Sequence, residues 1–255
     1  MDKALSRTIV CVTAVLGLTL TLSGPATATP TTSADGTLVT RTGTSITVTA
    51  AVGLSNTISV WQAGDTIRVR DTGDTVAALG GCSAVNAHEA VCPRAGALTE
   101  LVVHAGDQAD DVTSFLESLG VTLVGGSGDD SLYGGSANDT LEGDEGADFL
   151  SGGGGNDTLT GSSGPDRLFG GPGNDSIEGR GGSDLINAGA GNDVVSGGNG
   201  NDHVIAGSGN DFVDGGAGRD DLDAVDEVGG NDYVRGGDQN DVCRADLGDS
   251  VTECP

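Results

Sequence analysis

The sequence predicts an all-β chain whose second half is a stack of short repeats and whose first half is a small β-rich region. Three observations carry this. A nine-residue period runs from Gly125 to Arg244, with a branched apolar residue once per period and turn-forming residues filling most of the rest. Before it lie Thr/Val-rich segments in which apolar and polar side chains alternate. Helical period is missing over any useful length, the stretch Val112–Leu119 excepted.

Taken in order, Lys3 and Arg7 precede an apolar run, Thr8 to Leu22, and then the small residues Ala26-Thr27-Ala28. Residues 1–28 thus read as a secretory signal peptide, too short and wrongly flanked for a stable membrane span. The mature chain is expected to be secreted, with no transmembrane segment. Cys11 leaves with the signal and does not follow the cleavage point, which argues against a lipid anchor. Four cysteines remain, an even number suited to an oxidising compartment. Cys82–Cys92 and Cys243–Cys254 are the natural neighbour pairs, with three connectivities open.

Residues 29–124 form the β-rich leader. Ile46, Val48 and Ala50 alternate with Thr47 and Thr49. Ile58 and Val60, a turn at Gln62 to Asp65, and Ile67 and Val69 alternating with Arg68 and Arg70 predict a hairpin. Residues 125–244 are the repeats, and 245–255 a tail closed by the second cysteine pair.

Eleven units run without a gap from Gly125 to Asp223; after the insertion Ala224–Asp226 come Glu227–Arg235 and Gly236–Arg244. The sixth position is aspartate in all thirteen: Asp130, Asp139, Asp148, Asp157, Asp166, Asp175, Asp184, Asp193, Asp202, Asp211, Asp220, Asp232 and Asp241. The eighth is Leu, Ile or Val in the first twelve and Cys243 in the last. A weaker relative, Ala105–Thr113, suggests that the stack begins earlier. Glycines at the first, second and fourth positions let the backbone take positive φ and turn carbonyls inward. Carbonyls plus aspartate carboxylates are the oxygen set that a hard cation such as calcium needs. One apolar side chain per nine residues is too little to order so glycine-rich a chain unaided. Strict phasing of the eighth position sets the tract apart from a disordered Gly/Asp/Asn-rich one.

The pattern G-G-x-G-x-D-x-U-x, seen at Gly170–Glu178, resembles the RTX, or hemolysin-type, calcium-binding nonapeptide repeat. The resemblance implies a parallel β-roll with two repeats per coil, several bound Ca2+, and the sixth-position carboxylates as ligands. Backbone carbonyls around Gly153, Gly155, Gly171, Gly173, Gly189, Gly191, Gly207 and Gly209 would join them. Signal, leader and terminal cysteine pair together resemble small secreted calcium-binding repeat proteins of actinobacteria. The two-repeat coil is also readable directly. Units beginning at Gly134, Gly152, Gly170, Ala188 and Ala206 keep Gly second, Asn fifth and Asp sixth, while the intervening ones drift. The true period is therefore eighteen. One uniform row (Asp139, Asp157, Asp175, Asp193, Asp211) is expected to face a weaker one (Asp130, Asp148, Asp166, Asp184, Asp202, Asp220), where Arg180 and Arg219 offset charge.

Excess acid, 38 Asp plus Glu against 11 Lys plus Arg, repels nucleic acid and anionic membrane surfaces. His88-Glu89 begins like a zinc-protease motif but lacks the second histidine, and Cys92 stands in that place. No G-x-S-x-G elbow is present. His104 and His203 read as surface residues, and Trp61 as edge packing. The expectation is a secreted, non-enzymatic calcium-binding protein with a structural or interaction role. The alternatives are a hydrolase or a cytolysin with an accessory roll.

Overall fold

The computed structural model describes residues 36–94, 98–226 and 231–254; the signal-peptide reading, with Cys11, lies outside them. Each repeat contributes one strand, because its seventh to ninth residues place an apolar side chain between two outward-facing ones, as in Thr140-Leu141-Glu142. The leader supplies β1 (Gly36–Thr42), β2 (Ser45–Thr49), β3 (Thr57–Ala63), β4 (Thr66–Asp71), β5 (Thr75–Leu79), β6 (Ser83–Asn86) and β7 (Glu89–Pro93). Then come β8 (Glu100–Asp107), β9 (Asp111–Leu116), β10 (Thr122–Ser127) and β11 (Ser131–Gly135), and strands continue in the same manner to Ser250–Thr252. No helix occurs among the described residues, so none is long and apolar enough to cross a membrane.

The strands form two twelve-stranded sheets, and the chain crosses from one to the other at every turn of the repeat region. Pairing there is parallel with an eighteen-residue register: Leu123, Leu141, Leu159 and Ile177 stack in one sheet, Leu132, Leu150, Leu168 and Ile186 in the other. These side chains meet between the sheets in one continuous core, fully buried or nearly so. The expected parallel β-roll of two repeats per coil is what forms. At Val112–Leu119 the structure differs from the helical reading: β9 alternates, with Val112, Ser114 and Leu116 inward and Phe115 outward. Register decides this, since Val112 stacks beside Leu132 and only an extended chain can pair there.

The predicted hairpin is present as β3 antiparallel to β4, turning at Gly64 and Asp65. The leader continues both sheets: β2 pairs in parallel with β8, and β3 with β9. Beyond them β1 is antiparallel to β2, β4 to β3 and β7, and β6 to β7, while β5, the edge strand of its sheet, lies parallel to β1. Disulfides join Cys82 to Cys92 and Cys243 to Cys254. The second ties the last strand of one sheet, Val242–Ala245, to the residues just after the last strand of the other, Ser250–Thr252. Most aromatic rings pack on the outer surfaces: Tyr133, Phe149 and Phe169 lie 5.4 and 5.3 Å apart in one ladder, and Phe212 stacks on Tyr233.

Candidate metal centre

The sixth-position aspartates fall into two rows, one along each edge of the roll where the chain passes between sheets. All thirteen are buried. Their two carboxylate oxygens have different environments. Oδ1 accepts the backbone N–H of the sixth residue one coil earlier: Asp175 Oδ1 from Asp157, Asp193 Oδ1 from Asp175, Asp184 Oδ1 from Asp166 and Asp202 Oδ1 from Asp184, all at 2.8–2.9 Å. Oδ2 of every one of the thirteen is buried without a hydrogen-bond partner. Asp232 and Asp241 extend the rows across the three-residue insertion, taking the N–H groups of Asp211 and Asp220.

Loss of solvation on burial pushes twelve of these carboxyls up, to about 7 for Asp130, Asp139 and Asp166 and about 6 for Asp157, Asp193 and Asp202. Asp148, Asp175, Asp184, Asp211, Asp220 and Asp232 are raised for the same reason. Neighbouring carboxylates add to the effect in many places, as Asp157 does at Asp139, and the bond to Oδ1 offsets part of it. A buried carboxylate oxygen with no donor is costly. A cation removes that cost.

The backbone around Oδ2 completes the fit. The space that a Cβ would fill at Gly170 is bordered by Asp175 Oδ2 and the carbonyl oxygen of Ala188 in the next coil. At Gly179 it is bordered by Asp184 Oδ2 and Gly197 O, and at Gly134 by Asp139 Oδ2 and Gly152 O. First-position glycines thus leave a cradle between a carboxylate oxygen and a carbonyl; Ala188 and Ala206 narrow it with a methyl. Carbonyls of Gly153 and Gly155 lie against the Cα atoms of Gly171 and Gly173, where a side chain would collide with them. Third-position carbonyls are already engaged: Pro172 and Ala190 accept the N–H groups of Gly155 and Gly173. Among the described residues no three His, Cys, Asp or Glu side chains converge on one point. An ion in either row must therefore draw on backbone oxygens as well as carboxylates, as a hard cation does.

The carboxylate geometry is alike in the two rows; what separates them lies one residue earlier. On the uniform side Asn138, Asn156, Asn174, Asn192 and Asn210 form a ladder, each Oδ1 accepting the next asparagine's N–H at 2.7–2.8 Å. On the opposite side the fifth position runs Asp129, Ala147, Pro165, Ser183, Asn201, Arg219. Ala147 has no side-chain acceptor to offer, and Pro165 neither a side-chain acceptor nor an N–H. The second position there holds Asp144, Ser162 and Arg180 at φ of 71°, 83° and 72°, a left-handed conformation that glycine takes freely and most other residues only under strain. Arg180 is engaged with Glu178 rather than with the aspartate row.

Sequence reading missed the asparagine ladder, since Asn at a turn needs no further reason. It also missed Asp110, the sixth residue of the weaker unit Ala105–Thr113, which is buried and takes the Asn56 N–H on Oδ1. Of the histidines, His88 Nδ1 meets the carbonyl of Asp74, and His203 lies 3.6 Å from Asp221 on the surface. Glu89 is held by Arg68 and Arg70: burial raises its carboxyl, but the two guanidinium groups outweigh that and keep it below its ordinary range.

A family model described as the RTX calcium-binding nonapeptide repeat matches the chain in four copies, at residues 124–159, 160–195, 187–222 and 229–251. No curated protein and no solved structure matches it.

Proposed function

We propose that calcium is what folds the roll, whose residues 124–222 and 229–251 are RTX calcium-binding nonapeptide repeats, a repeat type that binds several Ca2+. The single observation behind this is the run of buried, unpartnered Oδ2 atoms from Asp130 to Asp241. In this reading those thirteen aspartates hold the ions together with turn carbonyls, those of the first-position residues included. Without the ions each coil buries carboxylates that burial has already made reluctant to ionise. With them, the same oxygens are neutralised and bridged along each edge.

The protein is exported in this reading, since both cysteine pairs close as disulfides, which persist in oxidising compartments. Its role is structural or interactive rather than catalytic: a rigid acidic rod whose two rows of ions hold a surface in place. Far-UV circular dichroism of the mature chain, with calcium raised from none to about 10 mM, tests the folding claim. A coil-like spectrum that becomes β-rich with calcium, and that magnesium fails to reproduce, is the expected result. A β-rich spectrum indifferent to calcium would overturn it.

A further inference from the structure

The row on the edge that runs through Asp130 does not stop where the recognised repeats begin. The Asp110 N–H donates to Asp130 Oδ1 at 2.8 Å, as each aspartate of the repeats does to the next. Asp110 Oδ2 is buried and without a partner, like Asp130 Oδ2 beyond it, and the two residues are 3% and 1% exposed. The separation is twenty residues instead of eighteen, so the unit falls out of phase with the repeats and outside the segments that match the family.

One step earlier, between β2 and β3, stands Asn56. Its N–H and Nδ2 both donate to Asp110 Oδ1, at 2.6 and 3.1 Å. Nδ2 also lies 3.0 Å from the Leu54 carbonyl and 3.2 Å from that of Ala105. A neutral amide therefore closes the row, engaging one oxygen of Asp110 and leaving the other for an ion. The opposite edge ends differently: Val121 donates its N–H to Asp139 Oδ1 but brings no carboxylate.

We propose a further calcium site at the junction of leader and roll, between Asp110 and Asp130, with Asn56 as its terminal plug and no counterpart at Val121. It rests on the calcium reading of the repeats. Its consequence is specific to this chain: an ion there fastens the coil of β8 and β9, and through Asn56 the earlier strands of the leader, to the first recognised coil.

Calcium bound per chain, measured by equilibrium dialysis at saturation, tests it on the full-length mature protein. Asp110→Asn keeps an oxygen for the Asn56 N–H but loses the carboxylate, so it should bind one ion fewer than wild type, while Val121→Ala should bind the same number. Equal stoichiometry for wild type and a folded Asp110→Asn overturns the site while leaving the repeats' calcium in place. Wild type that binds no calcium removes both. Should Asp110→Asn fail to fold, calcium anomalous scattering from wild-type crystals decides. A peak between Asp110 and Asp130 supports the site, and peaks confined to the later aspartates reject it.

Discussion

Asp175 occupies two positions in the logic of the roll at once. Its Oδ1 fixes the register of the previous coil through the Asp157 N–H, and its Oδ2 stays buried beside Ala188 O. The first interaction survives protonation of the carboxyl; the second favours it. Carboxyls raised toward about 6 or 7 in the folded roll are near 4 in the unfolded chain. Between those values the ion-free folded state holds protons that the unfolded state has released. Its stability therefore falls as pH rises through that window and is regained on acidification. In calcium-free buffer, β content should increase as pH is lowered from 8 to 5; with saturating calcium the spectrum should stay flat over the same range. Relief of general repulsion in a chain of net charge −27 acts in the same direction. Added salt at pH 8 separates the two, because it screens exposed charges and leaves a buried oxygen without a partner. Ion-free β content that rises with pH would contradict the buried-carboxylate account.

At the scale of the turn, the two edges differ in continuity rather than in carboxylates. The asparagine ladder gives one edge an unbroken second line of hydrogen bonds beside the aspartates; Ala147 and Pro165 interrupt the other. Asn174→Ala removes the acceptor of the Asn192 N–H in the middle of an intact ladder, a loss of about 1 kcal/mol. Ser183→Ala, whose Oγ meets the Asn201 N–H at 3.2 Å in a ladder already broken, should cost less. Thermal melts of both variants at saturating calcium check the order, and equal melting temperatures would reject the ladder as the reason for the alternation. Much of this was legible beforehand. The sixth and eighth positions could be read because each keeps one kind of side chain, a carboxylate or an apolar group, without exception up to Cys243. The fifth could not, because asparagine suits a turn whether or not it also bonds to the next coil. The coil that passes through Asn56 was hidden too: Ala51–Ser59 keeps the apolar Ile58 at the eighth position but has no glycine at the first, second or fourth position and no aspartate at the sixth.

The whole molecule is a stack with two different ends. The leader's strands stand at one, with β5 at the edge of one sheet and β6 at the edge of the other, and the Cys243–Cys254 disulfide draws the last strands of the two sheets together at the other end. Between them no coil has a core of its own, since each adds two apolar eighth-position side chains and depends on its neighbours for the rest. Stability must then be collective and carried along the edges, where the buried oxygens lie. Hydrogen exchange at the backbone amides of Asp139, Asp157, Asp175 and Asp193 reads one of those edges directly, for each amide donates to the Oδ1 of the following aspartate. In calcium all four should be strongly protected, and on chelation at pH 8 all four should lose protection together. Protection that persists in chelator would contradict the central claim that calcium holds the roll together.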